Sequence, residues 1–264
     1  MLTNYPDAPD IESSTQDYAQ RFKGQVGRWF LSTQQKATAK AIKKQFGDRK
    51  GLSVADIGGG HGQNINLIKN LGHELTVAGS FNSSTVLIQD AIDNKEIKYV
   101  EVSLRELPFP DNSFDVVICY RVYSHMDSWE TLSDELMRVA KTLVLIDYPH
   151  KYSVNYFSDA LFKIKKKIEN NTRRYQMFTD SQISLQFASS NWKKVFSFRQ
   201  FLLPMALHRL INIKPVSVCL EGVSRILGIT LLFGSPVIAG FICPEVIDII
   251  LSTDATSLKN KESH

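Results

Sequence analysis

From residue 51 onward, short and nearly unbroken apolar runs alternate with stretches in which apolar residues recur every three or four positions. The runs LSVADI, ELTVAG, IKYVEV, FDVVICY and TLVLIDY read as strands buried on both faces. Between them, Ile65, Ile68 and Leu71 mark the apolar face of a helix that Gly72 ends. STVLIQDAI predicts a second helix opened by Ser83 or Ser84, and SWETLSDELMRVA a third capped by Asp127. Such alternation predicts an α/β protein: a doubly wound parallel sheet with helices on both faces. Upstream, Tyr18 to Phe46 reads as one or two helices with a bulky apolar knot at Trp29, Phe30 and Leu31.

After Tyr148 the alternation stops. Residues 149–190 read as a helical, polar and basic insert, and WKKVFSFRQFL as a sixth strand. MALHRLINI and VSVCLEGVSRILG read as short helices, and ITLLFGSPVIAGFIC as the last strand. The expected organisation is a flexible N-terminus (1–17), a core (18–148), the insert (149–190), last strands with acceptor-site helices (191–251) and a polar tail (252–264). Ile226 to Pro244 carries no charge over 19 residues, long enough to cross a bilayer. Gly228, Gly234, Pro236 and Gly240 interrupt it, which favours a strand and an apolar pocket lid.

The densest chemical signal lies where the first strand turns into a helix, at VADIGGGHGQN (Val54 to Asn64). Gly58, Gly59, Gly60 and Gly62 remove side chains there, so a ligand can lie against the main chain. The helix start adds unpaired N–H groups and the positive end of a dipole. The dinucleotide fingerprint G-x-G-x-x-G fails at Gln63 when counted from Gly58, and at His61 when counted from Gly59. The pattern present is D-x-G-x-G-x-G, from Asp56 to Gly62. A second segment, LPFPDNSFDVVICY (Leu107 to Tyr120), joins a Pro-rich approach and a turn to the fourth strand.

Together these segments resemble motif I and the fourth-strand region of class I S-adenosylmethionine (SAM)-dependent methyltransferases, of the ubiquinone/menaquinone C-methyltransferase type. The resemblance covers about residues 20 to 148. It implies a seven-stranded, mostly parallel, Rossmann-like sheet, here with a helical insert between strands five and six, and SAM as cofactor. It implies that Asp56 orders the glycine loop, that the backbones of Gly58 and Gly60 approach the methionine part of SAM with Gly59 and Gly62 as further cofactor-binding positions, and that Gln63 and Asn64 bond its carboxylate. Two positions depart from the family. Ser80, with Asn82 nearby, stands at the end of the second strand where an acidic residue normally holds the ribose. Ser103 and Leu104 stand where an Asp-Ala pair commonly meets the adenine.

In CYRVYSHMDSW, Tyr120 is a candidate cofactor contact through its aromatic face, and Tyr123 a candidate catalytic residue beside the acceptor. His125 is the candidate base, following a strand's C-terminal end where α/β sites assemble. Asp147 and His150 are second choices for acceptor binding, and Met205 and His208 read as pocket or core. Methyl transfer from a sulfonium requires alignment more than a metal, and the sequence offers no metal-binding spacing.

Composition refines the picture in two places. Cys119, Cys219 and Cys243 are widely spaced in apolar surroundings, which fits a reducing, cytoplasmic compartment. The net charge of +4 hides an asymmetry: residues 1–150 carry 16 basic against 19 acidic side chains, residues 151–264 carry 15 against 8. Much of the excess sits in Lys163 to Arg174, either a solvated helix face or a patch for an anionic acceptor or membrane surface. No nucleic-acid-binding signature accompanies it. The expected partner is a small-molecule or lipid-like acceptor, anionic by this reading, with peripheral membrane contact as a further candidate. The acceptor atom (oxygen, carbon or nitrogen) stays open, and a non-catalytic binding or scaffold protein on the same fold is the alternative.

Overall fold

The computed structural model describes residues 8–80, 85–154 and 175–243. Three helices come first: α1 (Asp10–Ser13), α2 (Gln16–Gln20) and the long α3 (Gly24–Phe46). Alternation follows: β1 (Ser53–Ile57), α4 (Ile65–Asn70), β2 (Glu74–Ser80), α5 (Gln89–Asp93), β3 (Lys98–Val102) and β4 (Phe114–Cys119). A 3-10 turn (Tyr123–His125) leads to α6 (Trp129–Val139) and β5 (Ala140–Tyr148). The chain continues through α7 (Asp180–Ser189), β6 (Lys193–Phe201), α8 (Met205–Ile211), α9 (Lys214–Ile226), α10 (Ile229–Phe233) and β7 (Ser235–Ile242).

The strands form one seven-stranded sheet in the order β3-β2-β1-β4-β5-β7-β6, with only β7 antiparallel to its neighbours. The order reverses between β1 and β4, and in open α/β sheets the crevice beyond such a switch point is where ligands collect. Alternate residues of the apolar runs feed the two faces: Ala55, Val117 and Val144 enter one core, Val54, Val116 and Leu143 the other. On the first face Phe187 of α7 stacks on Phe241 of β7 with ring centroids 3.9 Å apart.

Three expectations change. The last apolar stretch is not one strand: it forms α10, breaks at Gly234 and resumes as β7. A Cβ at Gly234 would sit 2.5 Å from the Thr230 carbonyl, so only glycine closes that corner. The described end of the insert belongs to the helical layer, since α7 starts with a Thr179–Gln182 capping box and buries Ile183 and Phe187 in the core. The basic run at 163–174 and the tail at 252–264 lie outside the described residues. Lastly, residues 10–14, expected to be flexible, form a turn of helix with Asp10, Ser13 and Ser14 buried. Their polarity is consumed internally: both serine hydroxyls donate to the Asp10 carbonyl, at 3.2 and 2.7 Å. A polar sequence need not be a solvated one.

Candidate active site

The site assembles at the C-terminal ends of β1, β2, β4 and β5. β1 delivers Asp56 fully buried, and the glycine turn wraps over its carboxylate. A Cβ at Gly59 would lie 2.4 Å from the Asp56 Cγ, and Gly58 and Gly62 hold φ values of +73° and +70°. The side chain of Asn64, at the start of α4, donates to the Asp56 carboxylate at 3.0 Å. Burial pushes the Asp56 pKa up to about 7, with the Asn64 hydrogen bond pulling the other way. His61 is buried in the same turn, and burial followed by the Arg121 charge drives its pKa down to about 3.

Arg121 follows β4 with a φ of +65°, outside the range most side chains adopt. Its N–H donates to Asp147 at the end of β5 at 2.5 Å, and its guanidinium donates to Gln34 of α3 at 2.6 Å. Phe22 lies beneath that guanidinium, 4.3 Å from the ring centroid. Burial raises the pKa of Asp147, opposed by Arg121. Six buried polar atoms on and beside the turn have no hydrogen-bond partner among the described residues: Gln34 Nε2, Asp56 Oδ1, His61 Nε2, Gln63 Oε1, Asn64 Oδ1 and Arg121 Nε. Buried polar groups are rarely left unpaired, and a cluster mixing donors and acceptors fits a zwitterionic ligand end. An amino-acid moiety such as that of SAM meets this requirement.

Ser80, the last residue of β2, brings no carboxylate of its own, but one reaches it from α1. The Ser80 N–H and hydroxyl donate to the two carboxylate oxygens of Asp10, each at 2.6 Å. Asp10 lies 3.5 Å from where a Gly58 Cβ would be, so its side chain sits between the ends of β1 and β2. No motif pointed to Asp10. The signal was indirect: a strand end that lacks its usual acid can receive one from another segment.

Other candidates separate into those at the rim and those in the core. His125 ends the 3-10 turn partly exposed, its ring 5.4 Å from Tyr175. Tyr123, expected beside the acceptor, is instead fully buried in the core with its hydroxyl bonded to Ser133 at 2.8 Å. The 3-10 turn tucks its large apolar ring inward, and burial raises its pKa well above the usual value. Tyr120 likewise packs toward α3, its hydroxyl bonded to Thr38 at 2.8 Å, and offers no face to a cofactor. Leu104 is a core residue with 1% exposure, which removes it as an adenine contact, while the Ser103 hydroxyl accepts from the Arg105 N–H at 3.3 Å. Asn82 lies outside the described residues. His150 is buried with its Nε2 3.3 Å from Arg199, and His208 is buried against Glu221 at 2.9 Å. The described residues contain no cluster of His, Cys, Asp and Glu able to hold a metal.

The fold and the geometry of this turn define a class, the class I methyltransferase fold. Residues 55–144 match the methyltransferase domain family. Magnesium protoporphyrin IX methyltransferase from Synechocystis PCC 6803, crystallised with bound SAH, shares the fold at a TM-score of 0.58 and 14% identity, over 89% of this chain and 99% of that one. A methyltransferase from Mesorhizobium loti described as SAM-dependent aligns at 0.54 and 12%, over 78% and 97%. The cyclase SpnF aligns at 0.53 and 14%, over 79% and 80%. No curated protein sequence matches the chain. The match to the methyltransferase domain family spans about a third of the chain, and the fold that surrounds it is the one these SAM-dependent enzymes share.

The Asp10–Ser80 pair yields a charge-swap prediction. Ser80→Asp places two carboxylates in one buried space and lowers the melting temperature, and Asp10→Ala costs about 1–3 kcal/mol by stranding the Ser80 donors. The double variant Asp10→Ser/Ser80→Asp recovers most of the loss in thermal denaturation. A second prediction concerns pH. Because the folded-state pKa of Asp56 is raised from 3.8 to about 7, its relative contribution to stability is full below pH ~4 and lost as pH rises to ~7. His61 runs in the opposite direction, its contribution being present above 6.5 and lost toward ~3. Denaturation of ligand-free protein with and without Asp56→Asn isolates the first effect: the parent-minus-variant stability falls by up to about 4 kcal/mol across that window.

Proposed function

We propose that the protein transfers the methyl group of SAM to a partly apolar, anionic, small-molecule or lipid-like acceptor. The observation that carries the transfer is the cluster of unpaired buried polar atoms around the glycine turn. Gln34 and Arg121 offer donors to a carboxylate, while Asp56, Gln63 and Asn64 offer acceptors to an ammonium group. Gly58, Gly59, Gly60 and Gly62 let that ligand lie against the main chain, and Ser80 with Asp10 forms the wall beside it. When bound, SAM supplies an electrophilic methyl on a sulfonium. This chain's part is to align the acceptor with it, exclude water and accept a proton where the acceptor must lose one. His125, partly exposed in the turn that follows β4, is the residue assigned to that proton.

The acceptor class follows from the edge of the site. α8 to α10 bridge the end of β6 to the start of β7, along the same sheet edge as the C-terminus of β5. Burial, then the neighbouring Arg21 and Arg121 charges, depress Arg209 of α8. Two guanidinium groups near a third, beside helices rich in apolar residues, favour a ligand with a negative head and a hydrocarbon body. A scaffold role is the second reading, favoured by Asp10 sitting buried between the strand ends and closing the site from above.

Calorimetry with SAM, SAH and NAD tests the first half: SAM and SAH bind, NAD does not, and Arg121→Gln weakens both ligands by roughly tenfold or more. Transfer of labelled methyl from SAM into an extract of apolar organic acids and lipids tests the second half. Binding with no transfer into that extract supports the scaffold. Absence of SAM and SAH binding overturns both readings.

A further inference from the structure

α9 is built inside out. The positions it buries are polar, Ser217, Glu221 and Ser224, spaced along one helical face. Two of the three are satisfied internally: Glu221 accepts from the Leu202 and Leu203 N–H groups and from His208, and Ser224 bonds to Thr230. The face turned outward is apolar. Val223, Ile226 and Leu227, followed by Leu231 and Leu232 of α10, are all more than half exposed, as is Leu210 of α8. Isolated exposed leucines are ordinary, but a contiguous set on consecutive helices is not, because a water-facing helix normally buries such residues.

The charge around this face has one sign. Between residues 205 and 233 the only acid is Glu221, which points inward, and α3 carries five Lys/Arg and no acid. Between α3 and α9 lies a cleft of about 480 Å³ lined by Arg28, Lys36 and Lys214, with Trp29 and Val218 and no carboxylate. An outward apolar surface on α9 and α10 together with a cationic cleft on the α3 side of α9 matches a bilayer, whose acyl region meets the leucines while a headgroup phosphate meets the cations. No helix among the described residues is long and apolar enough to cross a membrane, so the contact is with the surface.

We propose that α8, α9 and α10 dock this protein on an anionic lipid bilayer, with a headgroup phosphate held by Arg28, Lys36 and Lys214. The proposal stands apart from the methyl-transfer reading, since vesicle binding needs no cofactor. It brings the edge of the site against the membrane, where a lipid-like acceptor would be found.

The test is sedimentation with vesicles of mixed phosphatidylglycerol and phosphatidylcholine, against vesicles of phosphatidylcholine alone, at low and high salt. The intact protein binds the anionic vesicles, binds neutral ones at least about tenfold more weakly, and loses affinity as salt rises. Lys36→Glu/Lys214→Glu and Leu231→Ser/Leu232→Ser each reduce binding roughly tenfold or more while the exposed positions leave the melting temperature unchanged. Equal binding to both vesicle types overturns the anionic headgroup. Binding of inorganic phosphate without vesicle association overturns the membrane. A stable dimer in sedimentation velocity that Leu231→Ser/Leu232→Ser dissociates, with vesicle association absent, assigns the face to a second copy and overturns the proposal.

Discussion

Asp56, one residue before the end of β1, carries a carboxylate that water does not reach, and its neighbours are arranged around that fact. The turn can wrap over it only because Gly59 has no side chain. Asn64 bonds one of its oxygens and the other has no partner among the described residues. An uncompensated buried charge is costly, which is why the group rests near neutrality in the absence of a partner. A cationic ligand end placed against the turn would hold the carboxylate ionised. The same group therefore shapes the turn and supplies a driving force for filling it.

Around this point the site draws on distant parts of the chain. Arg121, held in an uncommon backbone conformation, links the turn to Asp147 of β5 and Gln34 of α3. Asp10 brings to β2 the carboxylate that the strand itself lacks. One wall of the site is thus supplied by a short N-terminal helix whose hold on the sheet includes two hydrogen bonds to a single residue.

The strands were legible because parallel sheets bury both faces, and the resulting apolar runs admit few other readings. β1 to β6 fall within a residue or two of the expected positions. The chemistry was legible where backbone had to approach a ligand, at Asp56 to Gly62. It was less so where a residue type had two uses. Tyr120, Tyr123 and Leu104 follow strand ends and suit either a ligand or a core, and packing claimed all three. Asp10 was hidden because hydrogen bonds over long sequence separations leave no local pattern. α9 misled in another way: its amphipathic pattern is plain, but the pattern does not say which face turns outward. The apolar residues of α9 and α10 stand largely on the surface.

Hydrogen exchange with and without saturating SAH addresses the central claim most directly, because it reports which backbone the ligand covers without assuming an acceptor. Slower exchange is expected across Asp56 to Asn64, at Ser80 and Arg121, and in the Asp10–Ser14 segment that forms the adjoining wall. Unchanged exchange over Asp56 to Asn64, with protection appearing elsewhere or not at all, would contradict it.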